Sequence, residues 1–559
     1  MNFILRLRWI LLTAGIGLLS RTPLFAQAKL DKKISVVIHH RSLTWSLEEI
    51  GRKGGFYFSY NTNILNGDSV VDVDGKGRTI RQLLEKLLGG NYEYLESGRY
   101  IILLKKTSGP PGKIYTVTGN VRDKETGEKL REVSIYESDQ LVSALTDTNG
   151  FFRLRLREKS SKATLIISKQ LYRDTLLFIQ PGHDQEFECS ITQEHIAELM
   201  PFTITNHVEK TWMGKLLLSS KEVIQSMNLM HFFADKPIQF SLTPGLGTHG
   251  QMGAQVINKF SLNALGGYTA GVNGLEVAGL FNIDKKEVKY VQVAGIFNIV
   301  GGQVRGLQVA GIYNQDLDSV QGVQAGGISN KVTGNFSGLQ VGGLINEVHG
   351  DMKGVQAAGL ANITRGEMKG LQVGGIVNRA KNLKGVQIGL INSADTSSGY
   401  MIGLINIVKN GLHEISLSSN EILPFCLSYK TGTRKIYSIL LAGAAPFGNE
   451  KAYALGFGFG REWPLSPVLA FSAEFTFQHF YLGNWENVPV VYRLQPALQV
   501  RLGRKLSLFG GPALSMYSPD KLSAAPGYKS GLPGGGTHTF SIGKNGSAWL
   551  GWSLGINFF

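Results

Sequence analysis

The residue types that could support catalysis are few and poorly placed for it. The chain contains no GxSxG, HExxH or P-loop motif. His39 and His40 end a strand-like stretch, which favours surface histidines over a metal site. The glycines of GFGFG (456–460) lie inside a strand pattern, where small residues pack, and His479 with Glu474 has no serine partner. We therefore predict no enzymatic activity, no cofactor and no metal.

A different chemistry, the amide side chain, recurs at fixed spacing within residues 237–412. Asn recurs every sixteen residues and then twice after fourteen, at Asn282, Asn298, Asn314, Asn330, Asn346, Asn362, Asn378, Asn392 and Asn406. Gln or Glu stands six residues before the first seven, at Glu276, Gln292, Gln308, Gln324, Gln340, Gln356 and Gln372. Across the core units Glu276 is the only charged residue, and charges gather in connectors such as HGDMK.

Short apolar strands joined by charged turns fit two architectures. In an antiparallel barrel, each unit gives one strand of about 10–12 residues, which crosses a bilayer when tilted. In a β-solenoid, each unit is a coil of two short strands with stacked Asn and Gln ladders. Both periods are even, so each unit keeps the same face inward. We predict the barrel, with the solenoid as the alternative.

The strands of 413–559 alternate an apolar face with a polar one, as lipid-facing and lumen-facing rows do. In LAFSAEFTFQHF, Phe475 and Phe477 alternate with polar residues, and the chain ends in the amphipathic strand AWLGWSLGINFF. The lumen-facing candidates are Glu474, Gln478, Arg493, Gln495, Gln499 and Arg501. These strands predict an all-β antiparallel barrel with outer-membrane lipid around it.

The N-terminus carries an export signal. Arg6 and Arg8 precede the apolar run of 9–20, and Ala26-Gln27-Ala28 is an A-x-A cleavage site. We therefore predict a signal peptide over 1–28. Cys189 and Cys426 fall in separate predicted compartments, so we expect no disulfide between them.

Residues 29–106 read as a small α+β domain. Two capped helical patterns, SLTWSLEEIGRKGG and TIRQLLEKLLGG, are interleaved with short strands such as FYFSYN and RYIILLKK. This order resembles the short N-terminal domain shared by secretins and TonB-dependent transducers. The resemblance implies a periplasmic domain that docks an inner-membrane anti-sigma regulator or another periplasmic partner.

Residues 113–192 follow a Pro/Gly linker, TSGPPGK (107–113), and read as short strands separated by turns. The order VTGNVRDKETGEKL followed by TDTNGFF resembles the carboxypeptidase regulatory-like domain, a small β-sandwich. In that family the segment matching Thr146 to Gly150 is a turn, not a catalytic site. We predict a linker over 193–236.

The region 237–559 also resembles bacterial surface-repeat proteins with G-x-Q-x-G-x-x-N units before a C-terminal barrel. The resemblance implies architecture rather than an activity. We predict a non-enzymatic outer-membrane surface protein with periplasmic docking or signalling domains. The alternative is a receptor related to TonB-dependent transporters, although the 193–236 segment is too short for their plug. The net charge of +15 is scattered, so we predict no nucleic-acid partner.

The organisation of 29–192 generates a proteolysis prediction. Because exposed Pro/Gly linkers carry few contacts, we expect the first internal cleavage of this module within SGPPG. Limited proteolysis of purified protein, followed by mass spectrometry, locates that site. Protease added outside intact cells should leave 29–192 undigested, and its digestion there would reverse the predicted topology.

Overall fold

The computed structural model describes residues 29–59, 65, 67–89, 92–97, 100–105, 113–159, 163–194, 207–448, 450–485, 488–503, 505–517, 525–532, 538–542 and 546–559. The predicted signal peptide and most of the 107–113 linker lie outside these residues. The chain divides into two compact units, Met1–Lys113 and Ile114–Phe559.

The first unit is a small α+β domain. After a short 3-10 helix (Lys29–Asp31), its elements are β1 (Lys33–Ser42), α1 (Leu43–Gly54), β2 (Tyr57–Ser59), β3 (Val70–Thr79), α2 (Ile80–Leu88), β4 (Tyr92–Ser97) and β5 (Tyr100–Lys105). Strand β1 pairs antiparallel with β3, and the other sheet has the order β2-β5-β4.

Local sequence signals fix the ends of both helices of this unit. Ser42 caps α1, which ends at Gly55 in the left-handed conformation that glycine permits. Thr79 and Gln82 form a capping box at the start of α2. Leu47 of α1 and Leu83 of α2 are buried in the core that the sheets share.

The second unit begins with a β-sandwich. Its strands are β6 (Ile114–Asp123), β7 (Ser134–Glu137), β8 (Val142–Leu145), β9 (Phe151–Arg157), β10 (Ala163–Ser168), β11 (Thr175–Ile179) and β12 (Gln185–Ile191). The two sheets have the orders β11-β10-β7-β8 and β12-β6-β9. The predicted turn is present, since Asp147 Oδ1 accepts hydrogen bonds from the backbone N–H groups of Asn149 (2.8 Å) and Phe151 (3.0 Å).

The predicted linker, 193–236, is folded in much of its described part. It contains a 3-10 helix (Val208–Lys210), α3 (Trp212–Leu217) and α4 (Ser220–Asn228), which Ser219 and Glu222 start with a capping box. Val208 and Leu218 pack against Phe281 and Ile283 of the first repeats. The segment is therefore a packed cap rather than a free connection.

The repeats form a stack of parallel strands over 234–408. A 3-10 helix (Gly250–Gln255) lies within this stack. The strands are β13 (Ala234–Thr243), β14 (Leu246–Gly247), β15 (Val256–Asn263), β16 (Gly266–Thr269), β17 (Gly271–Ala278), β18 (Phe281–Asp284), β19 (Val288–Ala294), β20 (Phe297–Val300), β21 (Val304–Ala310), β22 (Tyr313–Asp316), β23 (Val320–Gly326), β24 (Ser329–Val332), β25 (Phe336–Gly342), β26 (Ile345–Val348), β27 (Met352–Ala358), β28 (Ala361–Gly374), β29 (Val377–Leu383), β30 (Val386–Ile388), β31 (Ile391–Ser397), β32 (Tyr400–Ile402) and β33 (Ile405–Val408).

The preferred barrel prediction for the repeats is wrong, and the alternative solenoid is correct. Strand β19 pairs in parallel with β21, and β20 pairs in parallel with β22, so each strand meets the equivalent strand of the next coil. The even repeat periods do not distinguish a barrel from a solenoid, because in a solenoid each unit must also keep the same face inward. Strands that flank a repeat in the chain need not belong to the same sheet.

Two stacked rows of glycine explain the glycine content of the coils. Gly338 has a φ of +133°, and a Cβ there would collide with the carbonyl oxygen of Gly322 in the preceding coil. A Cβ on Gly343 would meet the carbonyl of Gly327 in the same way. The Gly-Gly pair is thus a corner between two strands, not a bulge within one strand.

Eight strands of the described chain close into an antiparallel barrel after the solenoid. The strands of this region are β34 (Leu412–Asn420), β35 (Phe425–Thr433), β36 (Ile436–Ala445), β37 (Ala452–Pro464), β38 (Leu469–Tyr481), β39 (Val490–Arg501), β40 (Leu506–Tyr517), β41 (Thr539–Ile542) and β42 (Gly546–Phe558). Strand β42 pairs with β40 and with β34, which closes the barrel, and β41 adds a short hairpin to β42.

Candidate functional site

The nine repeat asparagines form one continuous hydrogen-bonded ladder inside the solenoid. Each side-chain Nδ2 from Asn282 to Asn392 donates to the Oδ1 of the next asparagine at 2.8–3.0 Å. The second N–H of Asn330 reaches the carbonyl of Val341 at 2.7 Å, and most other coils repeat this bond. The ladder side chains are 0–1 % exposed.

A parallel ladder of glutamines runs in the opposite direction. Gln308 Nε2 donates to Gln292 Oε1 at 2.9 Å, and the pattern continues to Gln387, which donates to Gln372 at 2.7 Å. Gln292 donates to Glu276 at 2.9 Å. A carboxylate only accepts hydrogen bonds, so Glu276 ends a ladder in which every glutamine donates backwards.

Buried carboxyl groups accept the second N–H groups of some glutamines. Gln292 donates to Asp284 at 2.6 Å, and Asp316 accepts from Gln308 and Gln324 on its two oxygens. Burial raises the pKa of Asp284 well above its ordinary value, and the nearby Glu276 charge raises it further. Burial also raises the pKa of Asp316, to about 7.

The Asn ladder continues into the barrel. Asn406, in the last coil, donates through Nδ2 to Ser438 Oγ, and its backbone N–H donates to Thr431 Oγ1 at 3.2 Å. Ser438 Oγ in turn donates to the Gly403 carbonyl. The last coil therefore packs on strands β35 and β36, near the turn that joins them.

The outer wall of the barrel is apolar on most of its strands. Exposed apolar and aromatic side chains alternate along the strands with buried ones; they include Leu417, Leu427, Phe457, Phe475, Tyr492, Leu494, Leu508, Leu514, Trp552 and Leu554. Neighbouring strands bring some of these into contact, as in the stacked rings of Phe457 and Phe477, whose centroids are 5.3 Å apart. The polar side chains lie on the buried side of the same strands.

One buried ion-paired group centres on Glu474. Lys430 Nζ and Tyr437 Oη both donate to Glu474 Oε1, the latter at 2.8 Å. Gly460 makes room for this group, because a Cβ there would collide with the Tyr437 ring. The glycines of GFGFG thus serve packing, as predicted.

Two further ion-paired groups lie inside the barrel. Arg493 binds both oxygens of Glu421, at 2.6 and 3.0 Å, and Trp549 Nε1 donates to the same carboxylate at 3.0 Å. Arg501 donates to Glu462 at 2.7 Å. Such bidentate and charge-assisted bonds hold side chains rigidly. An eight-stranded barrel has an interior just wide enough for side chains to fill.

The sequence-predicted lumen candidates all lie on the inner side of their strands. Glu474, Gln478, Arg493 and Gln499 are buried, and Gln495 and Arg501 are partly buried. Gln478 donates to Thr476 at 2.9 Å rather than to an ionised group. The structure thus brings Glu474, Arg493 and Arg501 into three separate ion pairs, not into one shared cluster.

Sequence reasoning missed the partners of these residues. Lys430, Tyr437 and Glu421 are not among the predicted lumen-facing residues, and neither is Glu462, which lies two residues after GFGFG. The signal for Lys430 was present, because FCLSYK alternates apolar residues with Cys426, Ser428 and Lys430. Glu421 carried no strand signal, since it lies between β34 and β35.

Comparison with protein-family models, with curated proteins and with solved structures found no match. Within the described residues, no helix combines the length and apolar character needed to cross a membrane. Over the same part of the chain, no group of three or more His, Cys, Asp or Glu side chains is arranged to hold a metal ion. Cys189 and Cys426 are free and buried.

The ladder predicts a large local effect of Asn330→Ala. The change removes the oxygen that accepts from Asn314 and the N–H groups that donate to Asn346 and to the Val341 carbonyl. Each buried polar group left without a partner costs about 1–3 kcal/mol. Hydrogen exchange with mass spectrometry should show β22, β24 and β26 exchanging about a hundredfold faster. Ser337→Ala, on the exposed face, is the matched control. Equal exchange in both variants would contradict a stabilising ladder.

The buried Asp316 predicts a pH dependence of solenoid stability. Its folded pKa of about 7 exceeds the ordinary 3.8, so its contribution is complete below that ordinary value and is lost as the pH rises through 7. Val300 and Val332 occupy the same position in the adjacent coils. Asp316→Val should therefore reduce the fall in melting temperature from about pH 5 to about pH 8. A parallel fall in wild type and variant, with Asp235→Asn as the exposed control, would contradict this.

Proposed function

We propose that this chain is a non-enzymatic outer-membrane β-barrel protein that presents docking modules to the periplasm. The observation that carries the proposal is the polarity of the closed barrel, which has an apolar outer wall and ion-paired side chains inside. A water-soluble barrel would instead carry polar side chains on its outer wall, because a contiguous exposed apolar surface favours association.

Closure of the sheet supports a lipid environment on physical grounds. Within hydrocarbon every backbone N–H and C=O must be bonded internally, and a closed barrel meets this need because it has no free edge. Strands β37 and β38 span thirteen residues each, which exceeds the 9–11 needed by a tilted transmembrane strand. The C-terminal strand places Leu550, Trp552 and Leu554 on the outer face.

The connections between strands support an orientation. Three turns at one end are short: 434–435, 465–468 and 502–505. Connections at the other end include the longer 446–451, 482–489 and 518–538. Outer-membrane barrels have short periplasmic turns and longer external loops. The solenoid joins the short-turn end, which supports a periplasmic position for the preceding modules.

A transporter is the weaker alternative. Outer-membrane transporters enclose their plug in barrels of about 22 strands. Here eight strands of the described chain enclose side chains that pair with one another. The barrel is better suited to anchor the protein than to pass a solute.

The first unit is the proposed docking module. Its α1 and β2 border a groove of about 650 Å³ that Leu47, Arg52 and Phe58 line. The resemblance of 29–106 to transducer domains suggests an inner-membrane anti-sigma regulator or another periplasmic protein as its partner. Affinity capture on 29–106 tests this part of the proposal, with Arg52→Glu as the variant that should lose the partner.

An arginine substitution on the outer wall tests the membrane proposal, and the same substitution on the sandwich is the matched control. Leu494, on the barrel, and Leu176, on the sandwich, are 44 % and 57 % exposed. Arg near the bilayer midplane costs roughly 2–4 kcal/mol on the lipid face. Leu494→Arg should therefore sharply lower the yield of outer-membrane barrel that migrates faster unboiled than boiled. Leu176→Arg should leave that yield unchanged.

Two outcomes would contradict the membrane proposal. If both arginine variants assemble like the wild type, Leu494 faces water and the barrel is not a membrane barrel. Recovery of the wild-type mature chain in the soluble periplasmic extract would contradict the proposal independently.

A further inference from the structure

The solenoid has an apolar outer strip directly over its polar interior. In one coil, Leu339, Val341 and Leu344 are 39–43 % exposed, whereas Gln340 and Asn346 are fully buried. The parallel register stacks equivalent residues from coil to coil, as Leu339 stacks on Val323 and Leu344 follows Ile328. Coils repeat every 4.7–4.9 Å, so nine of them give a strip of about 40 Å.

A basic row borders this strip on the same sheet. Lys289, Arg305, Gln321, Ser337, Lys353 and Lys369 stack in register on the outer face of the sheet. The row contains four cations, of which Lys289 and Arg305 are ion-paired with Glu287 at 3.0 and 3.4 Å. Among the described residues, Lys353 and Lys369 form no ion pair within the protein. Surfaces that lie in a membrane interface combine an apolar face with Lys and Arg beside it.

The backbone of the strip is also compatible with lipid. Along the strip each strand is hydrogen-bonded to a coil on either side, so its N–H and C=O groups are used within the stack. One end of the stack is closed by the barrel, through Asn406 and Ser438, and α3 and α4 pack on the first repeats. The last coil lies at the short-turn end of the barrel, which is the membrane surface under the proposed function.

We propose that this face of the solenoid lies against the periplasmic surface of the bilayer and binds anionic phospholipid. The apolar strip enters the headgroup and acyl boundary, and the basic row contacts lipid phosphates. This inference rests on the proposed function only in that the barrel delivers the solenoid to the membrane. The stacked cations Lys353 and Lys369 and the position of the last coil at the barrel end favour a lipid surface over a second copy of the chain.

Spin labels on the full mature chain, reconstituted in vesicles, test the inference. The test label replaces Leu344, a water control replaces the exposed connector residue Thr333, and a barrel-wall control replaces Leu494. Collision rates are measured with molecular oxygen, which partitions into lipid, and with a water-soluble nickel chelate. Cys189 and Cys426 are buried, so the label on folded protein reports the introduced cysteine.

The expected result is that Leu344→Cys resembles Leu494→Cys, with oxygen collisions dominant, and differs from Thr333→Cys. The effect should be stronger in phosphatidylglycerol-containing vesicles than in phosphatidylcholine alone. Each Lys near an anionic surface is worth about 1 kcal/mol, so Lys353→Gln with Lys369→Gln should lower the bound-to-free ratio of the solenoid about 30-fold. The matched control is Lys331→Gln, on the opposite sheet.

Each other outcome overturns the inference in a recognisable way. If the label at 344 behaves like that at 333 while 494 remains in lipid, the solenoid is free of the membrane and the barrel proposal stands. If 344 is shielded from both reagents and shows dipolar broadening, a second copy covers the strip. If 494 itself collides with the nickel chelate, the proposed barrel function fails as well.

Discussion

The buried asparagine ladder is the interaction on which the rest of the solenoid depends. An unpaired amide in the interior costs about 1–3 kcal/mol, so each Asn must find two acceptors for its N–H groups and a donor for its oxygen inside the stack. Asn330 meets this need through Asn314, Asn346 and the Val341 carbonyl. The bonds exist only if consecutive coils superpose residue on residue. The spacing of sixteen, and later fourteen, is therefore a condition of satisfied hydrogen bonds.

The same ladder couples the solenoid to the barrel. Asn406 has no further asparagine to meet, and Ser438 of β36 takes that place. The glutamine ladder stops one coil earlier, where Met401 follows Gln387 in the stack. Glu276 ends it at the other side because a carboxylate supplies only acceptors. Both ladder ends are thus adapted to what lies beyond them.

Much of the fold can be predicted from the sequence because it depends on local signals. The caps at Ser42 and Thr79, the turn at Asp147 and the alternation in β38 each depend on neighbouring residues. The parallel stacking of the repeats cannot be predicted in this way, since the repeat period and the polarity pattern suit a barrel and a solenoid equally. The partners of Glu474 and Arg493 were hidden for a related reason. Lys430 and Glu421 lie 44 and 72 residues away in the chain, and only closure of the barrel brings them in.

The opposite directions of the two ladders have a consequence for length. Side-chain amide dipoles in the Asn series point along the stack one way, and those in the Gln series point the other way. Their fields oppose each other, as do those of neighbouring strands in an antiparallel sheet. We therefore expect only a small net dipole along the stack, and a small electrostatic cost at the ends when a coil is added or removed. Coil number then acts as a ruler that sets the separation between the sandwich and the barrel in steps of about 4.8 Å.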